Sequence, residues 1–303
     1  MKTFLRNFPV APIPRRVWLV SVLAAGLGAT ALAQDLPAEA GSESPIPFVP
    51  QFHLSLLPKP LTPNPTLEMT VFTELTDFGR SFPRASREAP VYFEARDQGV
   101  QPRGFVIAGD APLPREELNS ILHRTLAADG YLPAGEGHRP SLFLVYYWGS
   151  HNRLYPDLAG MFPELAENYI LERAVLVGGK TYARDFLREF IYGLVDLGVS
   201  SKKDFLRMQV RDDLYYVVVS AYTYDDLARD ERRMVWRTTL TVNARGVSMG
   251  ESLPPLIVTG GSYFGRETTG PLALRRSVRR GTVTLGQLYV IEDNVPLSKP
   301  PGK

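Results

Sequence analysis

The chain has 303 residues, of which 44% are hydrophobic and 22% charged, with a formal net charge of +2 and no cysteine. These values suit a globular protein whose core is large enough to stand without staples. They exclude disulfides, thiolate metal sites, a cysteine nucleophile and a lipid-modified N-terminal cysteine.

The first 33 residues read as a targeting segment. Lys2, Arg6, Arg15 and Arg16 are basic, and no acid precedes Asp35. Val17 to Ala33 is apolar or small and ends in Ala31-Leu32-Ala33, a small-x-small pattern that a signal peptidase cuts after. The expected mature chain is exported, periplasmic or secreted, and starts near Gln34. An uncleaved membrane anchor is the competing expectation, since about 17 apolar residues lie near the lower limit for crossing a bilayer. Membrane contact is expected only through that segment. Arg15-Arg16 leaves Sec and twin-arginine export both open. Cleavage removes four basic residues and no acid, so the formal charge becomes −2. The positive balance therefore belongs to the leader, and no nucleic-acid partner is expected.

Residues 34–66 form a proline-rich spacer, with prolines at 45, 47, 50, 58, 60, 63 and 65. Proline fixes φ and removes a donor, which favours extended geometry. Phe48, Val49, Phe52, Leu54, Leu56 and Leu57 make the spacer unusually apolar, so part of it is expected to lie on the domain or on a partner.

A single domain is expected over 67–295, followed by a polar tail, 296–303. Leu67 to Phe72 and Val91 to Ala95 have strand character. Pro114-Arg-Glu-Glu-Leu opens a helix, with proline and acids at its start and Leu118, Ile121, Leu122 and Leu126 on one face. Gly130 is placed to end it. Leu142 to Trp148 is apolar at every position, as in a strand covered on both sides. Helices follow over about 164–177 and 180–197, separated at Gly178-Gly179, and a short helix over Phe205 to Arg211. Leu214 to Asn243 reads as the organising element: two β-branched and aromatic runs joined by a charged turn, a long antiparallel hairpin at the centre of a sheet. In its second strand Trp236, Thr238, Leu240 and Val242 share one face, and Arg237, Thr239, Thr241 and Asn243 the other, so one face is expected to be wet. Leu285 to Ile291 reads as a last strand. No internal repeat stands out. The fold expected is α+β, a mostly antiparallel sheet with helices layered on it.

The motifs do not assemble a catalytic set. Gly246-Val-Ser248-Met-Gly250 matches G-x-S-x-G, but no histidine follows it and Pro254-Pro255 breaks the helix an elbow requires. Gly178-Gly179-Lys180-Thr181 lacks the first glycine of a phosphate loop. His53, His123, His138 and His151 have no metal-ligand spacing, so neither a metal nor a cofactor is expected. Asp225, Asp226, Asp230 and Glu231 read as a solvated turn, and Arg275, Arg276, Arg279 and Arg280 as a charged face. Trp148 and the loop Gly149 to Pro156 that follows it supply the candidate binding residues: Trp148, His151, Asn152, Arg153 and Tyr155 offer a polar and aromatic patch suited to a sugar or peptide.

The run Asp129-Gly130-Tyr131 after a helix, the strand Ser141 to Trp148, and the later Val235-Trp236-Arg237 strand resemble those of small uncharacterised bacterial envelope domains, often lipoproteins. The resemblance covers about half of the mature chain. It departs in the missing lipidated cysteine and in the helical insertion over 155–210. It implies an α+β envelope domain and carries no catalytic residue. The function expected is an exported, non-catalytic envelope protein that binds or scaffolds an envelope protein or polymer. The alternatives are a secreted carboxylate-dependent hydrolase, with Glu94, Asp97 and Asp157 as possible members, and a membrane-anchored domain.

Overall fold

The computed structural model describes residues 64–104, 112–192, 201–225 and 233–280. The expected signal peptide, all but the end of the proline-rich segment, His53, most of the charged hairpin turn, the strand expected over 285–291 and the tail lie outside these residues.

Seven strands make one mixed sheet: β1 (Thr66–Leu75), β2 (Val91–Val100), β3 (Tyr131–Pro133), β4 (Leu142–His151), β5 (Leu214–Thr223), β6 (Met234–Asn243) and β7 (Leu272–Ser277). Their order is β3-β2-β4-β5-β6-β1-β7. β2 runs parallel to β3 and β4, and all the other pairs are antiparallel. The hairpin of β5 and β6 is central, as its residues suggest. β5 is apolar along both faces, and such a strand is stable only where both faces are covered. The helices are α1 (Asp77–Ser81), α2 (Arg115–Ala128), α3 (Pro156–Met161), α4 (Pro163–Tyr192), α5 (Ser201–Arg211) and α6 (Met249–Gly260). The chain is α+β.

The front of the sheet carries the main core. Leu67, Met69 and Val71 of β1, Leu144 and Trp148 of β4, Tyr215, Val217 and Val219 of β5 and Leu240 and Val242 of β6 pack there against α2 and α6. The four residues that give α2 its apolar face, Leu118, Ile121, Leu122 and Leu126, are the four it buries. Gly130 ends that helix at φ 87°, and a side chain there would strike the backbone of Ser86. Tyr131 then turns inward onto the Trp236 ring, centroids 5.6 Å apart. The Gly-Tyr and Val-Trp-Arg runs thus meet in space, and burial pushes the Tyr131 hydroxyl up to about 12.

The back of the sheet corrects one expectation. Thr239, Thr241 and Asn243 are buried, with α4 packed across β1 and β6. The threonines sit in this layer because their hydroxyls pair across strands, as Thr70 and Thr241 do. Alternation of polar and apolar residues therefore marks two different cores here rather than a core and a solvent face. α4 is broken where the glycines predict. Gly179 has φ 77°, and a Cβ there would collide with the Phe72 ring of β1. The glycine pair lets the helix bend against the sheet.

A second correction concerns α6. Pro254 and Pro255 lie inside it and do not stop it. Ser248 is its N-cap: the hydroxyl accepts from Glu251 N, and the Glu251 carboxylate accepts from Ser248 N, a complete capping box. Ser252 Oγ donates back to Ser248 O at 2.7 Å, which helps hold the first turn ahead of the prolines. The G-x-S-x-G run is thus a helix start.

Candidate functional site

The ladder registers put several chain ends at one end of the sheet. His151 of β4 stands opposite Leu214 of β5, and Leu214 opposite Asn243 of β6. Met69 of β1 faces Val242, so β1 enters at this same end. Here the back layer is charged. His151 is buried, and its Nε2 lies 2.9 Å from Glu172 Oε2 of α4, with the Tyr169 ring edge-on at 5.3 Å. Burial holds the imidazole below its usual pKa. The Glu172 carboxylate works against that shift, and the Arg173 and Arg103 charges work with it.

Arg173 of α4 is only 3% exposed. Its Nε donates to Val210 O at 2.6 Å and its Nη1 to Asn152 O at 3.4 Å. Burial lowers its pKa to about 10. The side chain thereby ties α4 to the end of α5 and to the loop after β4. Nearby, Asp212 accepts from Asn243 Nδ2 at 3.0 Å and Arg245 Nη2 at 2.7 Å. Asp213 accepts from the backbone N–H of Arg153 at 2.7 Å. These contacts bind the helical arm to the sheet, although the buried His151 Nδ1 has no hydrogen-bond partner among the described residues.

The five candidate residues fall on different sides of this arrangement. Trp148 points into the front core and is fully buried. His151 and Asn152 are buried on the way to α4. Arg153 is engaged with Asp213. Tyr155 is half exposed and stands just ahead of α3, with no side-chain capping hydrogen bond. The loop holds them in sequence without gathering them into a pocket. Trp148 and His151 are three residues apart on a strand, an odd spacing that sends them to opposite faces.

What the loop does deliver is α3. This helix buries none of its residues. Tyr155, Leu158, Met161, Phe162 and Leu165 stand in solvent at helical spacings, with Met161 70% and Phe162 54% exposed. Their apolar area is about 500 Å², near the upper end for a monomer surface. Asp157, Glu164 and Glu167 surround them and are exposed. The sequence carries a signal for this arm. Tyr155-Pro-Asp-Leu-Ala is followed by Phe162-Pro-Glu-Leu-Ala, seven residues on. Each copy is an aromatic residue, a proline for the first helical position and an acid for the first turn. The short repeat starts two helices in succession and leaves two aromatics outside.

Other features resolve into structure. His123 packs edge-on against Phe93 and Tyr146, and His138 stacks on Tyr92 at 4.3 Å. Glu94 and Asp97 project from opposite faces of β2. Glu94 accepts from the Tyr224 hydroxyl, and Asp97 from Arg115 and Asn119. A cavity of about 420 Å³ lies between the start of β1 and the start of α6, and its Glu251 and Arg280 bind each other. Arg275 pairs with Glu68, and Arg276 donates to Thr259. Among the described residues no group of three His, Asp or Glu side chains could hold a metal ion, and no helix is long and apolar enough to cross a membrane.

No family model matches the chain. No curated protein matches it. Among solved structures it is similar to a variant of the PelC dodecamer from Paraburkholderia phytofirmans, at 14% identity over 63% of this chain and 93% of that one, with a TM-score of 0.26.

Proposed function

We propose that the protein is an exported, non-catalytic envelope protein that binds or scaffolds, and that the exposed face of α3 and the start of α4 is its docking surface. One observation carries this reading. A helix with no buried residue presents Leu158 and Met161, flanked by Tyr155, Phe162 and Leu165, to water. Large apolar side chains gathered in this way mark interaction sites. The charged network around Arg173 and His151 fixes the arm that carries them, so the face is held ready. The acidic rim of Asp157, Glu164 and Glu167 disfavours an anionic lipid surface and favours an occupant that is apolar and neutral or basic. The basic and apolar run over residues 1–33, read as a targeting segment, supports an activity outside the cytoplasm.

The test is site-specific photo-crosslinking of the full chain in its own cells. A photoreactive residue at Met161 is expected to give a discrete adduct. The same residue at Glu136, exposed beyond β3, is expected to give none. Equal labelling at the two positions would sink the docking reading.

A further inference from the structure

We propose that the α3–α4 face is occupied by residues 46–57 of the same chain, which lie outside the described residues. This rests on the reading of that face as a docking surface, and it names the occupant.

Charge is the first argument. The face is apolar with an acidic rim. From Ser44 to Leu67 the chain contains no acid, and Lys59 is its one lysine or arginine. The segment is also apolar, with Phe48, Val49, Phe52, Leu54, Leu56 and Leu57. It matches the face in being apolar and carries no acid for the rim to repel, Lys59 lying just beyond it, and its prolines stiffen it, which lowers the entropy lost on docking.

Reach is the second argument. The described chain enters at Asn64, just ahead of β1, at the sheet end where β4 leaves for α3. β1 and β4 are separated by β6 and β5, three strand spacings or about 14 Å. The seven residues from Leu57 to Asn64 span about 22 Å in polyproline geometry. A tether of this length covers the lateral distance from β1 to the strand that leads into α3. A tether this short gives an effective concentration of order millimolar, which favours the chain's own segment over that of a neighbour. The same arithmetic makes the segment an internal competitor: an outside partner binds the face only by displacing it.

Two measurements on the full chain test this. In the Met161 crosslinking experiment, mass spectrometry of the adduct is expected to find a peptide within 46–57. With mixed heavy and light chains, the adduct should join heavy to heavy and light to light. Heavy-to-light adducts, or adducts to another protein that never include 46–57, overturn the inference and leave the docking reading in place. No adduct at Met161 overturns both. Because the chain has no cysteine, Met161→Cys also introduces a unique thiol. Its maleimide labelling is expected to rise roughly tenfold when Phe48→Asp and Phe52→Asp are added, as the segment is released. An unchanged rate, with the fold intact by circular dichroism, overturns the inference.

Discussion

The two faces of the sheet are built on different physics. The front core, between the strands and α2 and α6, is mainly apolar and includes Trp148, Leu122 and Phe264 with at most 1% exposure, with Thr73 and Thr238 as a buried hydroxyl pair. The back layer is smaller. Val177, Phe186, Leu206 and Val210 form its apolar part, and beside them lie buried threonines and the groups around Arg173, Asp212 and His151. Apolar packing is non-directional and tolerates adjustment, so the front can supply stability. Buried polar groups have directional demands, so the back fixes where the helical arm points. Stability is concentrated on one side and the presentation of a surface on the other.

The largest effect should come from the front. Trp148→Ala opens a cavity between β4 and the covering helices and should cost about 3–5 kcal/mol in denaturant unfolding. A cost below about 1 kcal/mol would place Trp148 on a binding surface instead of in the core.

Next is Arg173→Met, which keeps most of the stem but leaves the Val210 and Asn152 carbonyls without their donor. The expected loss is roughly 2–3 kcal/mol. It should be local, with amides of α4 and α5 exchanging faster while β4, β5 and β6 keep their protection. Uniform loss of protection would mean that the two faces are one cooperative unit.

Ser248→Ala removes the N-cap of α6 and should cost about 1 kcal/mol. A fluorophosphonate probe should leave Ser248 unlabelled in the wild type, and labelling there would reopen the hydrolase alternative.

The smallest effect is on pH dependence. Burial holds His151 and His123 below the ordinary imidazole value. The unfolded chain therefore takes up protons first on acidification. Stability from these groups is present above about pH 6.5 and declines as pH falls from there toward the folded values. His151→Gln should flatten the part of that decline that belongs to the back layer, measured as urea midpoints between pH 7.5 and 5.5. A wild-type curve with no decline would argue that His151 is charged in the folded state through Glu172.

Much of the fold was legible because its signals are local. The apolar face of α2, the Gly130 stop, the break at Gly179 and the β-branched runs of β5 and β6 each follow from spacing or backbone freedom within a few residues. The candidate site was less legible. Trp148, His151, Asn152, Arg153 and Tyr155 are adjacent in sequence, and adjacency said nothing of which face each would take. The arm that follows carries its signal in the repeated aromatic-proline-acid run at Tyr155 and Phe162, too short to stand out among the chain's 26 prolines.

The sequence alone therefore determined the apolar face and end of α2, the break in α4 and the two runs of the β5–β6 hairpin, while α3, β7 and the passage of α6 through Pro254 and Pro255 were not legible in it. The tertiary structure decided what lies against each face. It buried Thr241 under α4 and left Met161 in water, although the local pattern makes the first polar and the second apolar. Periodicity is set by the backbone of one element, whereas burial depends on a second element packed against it from far along the chain.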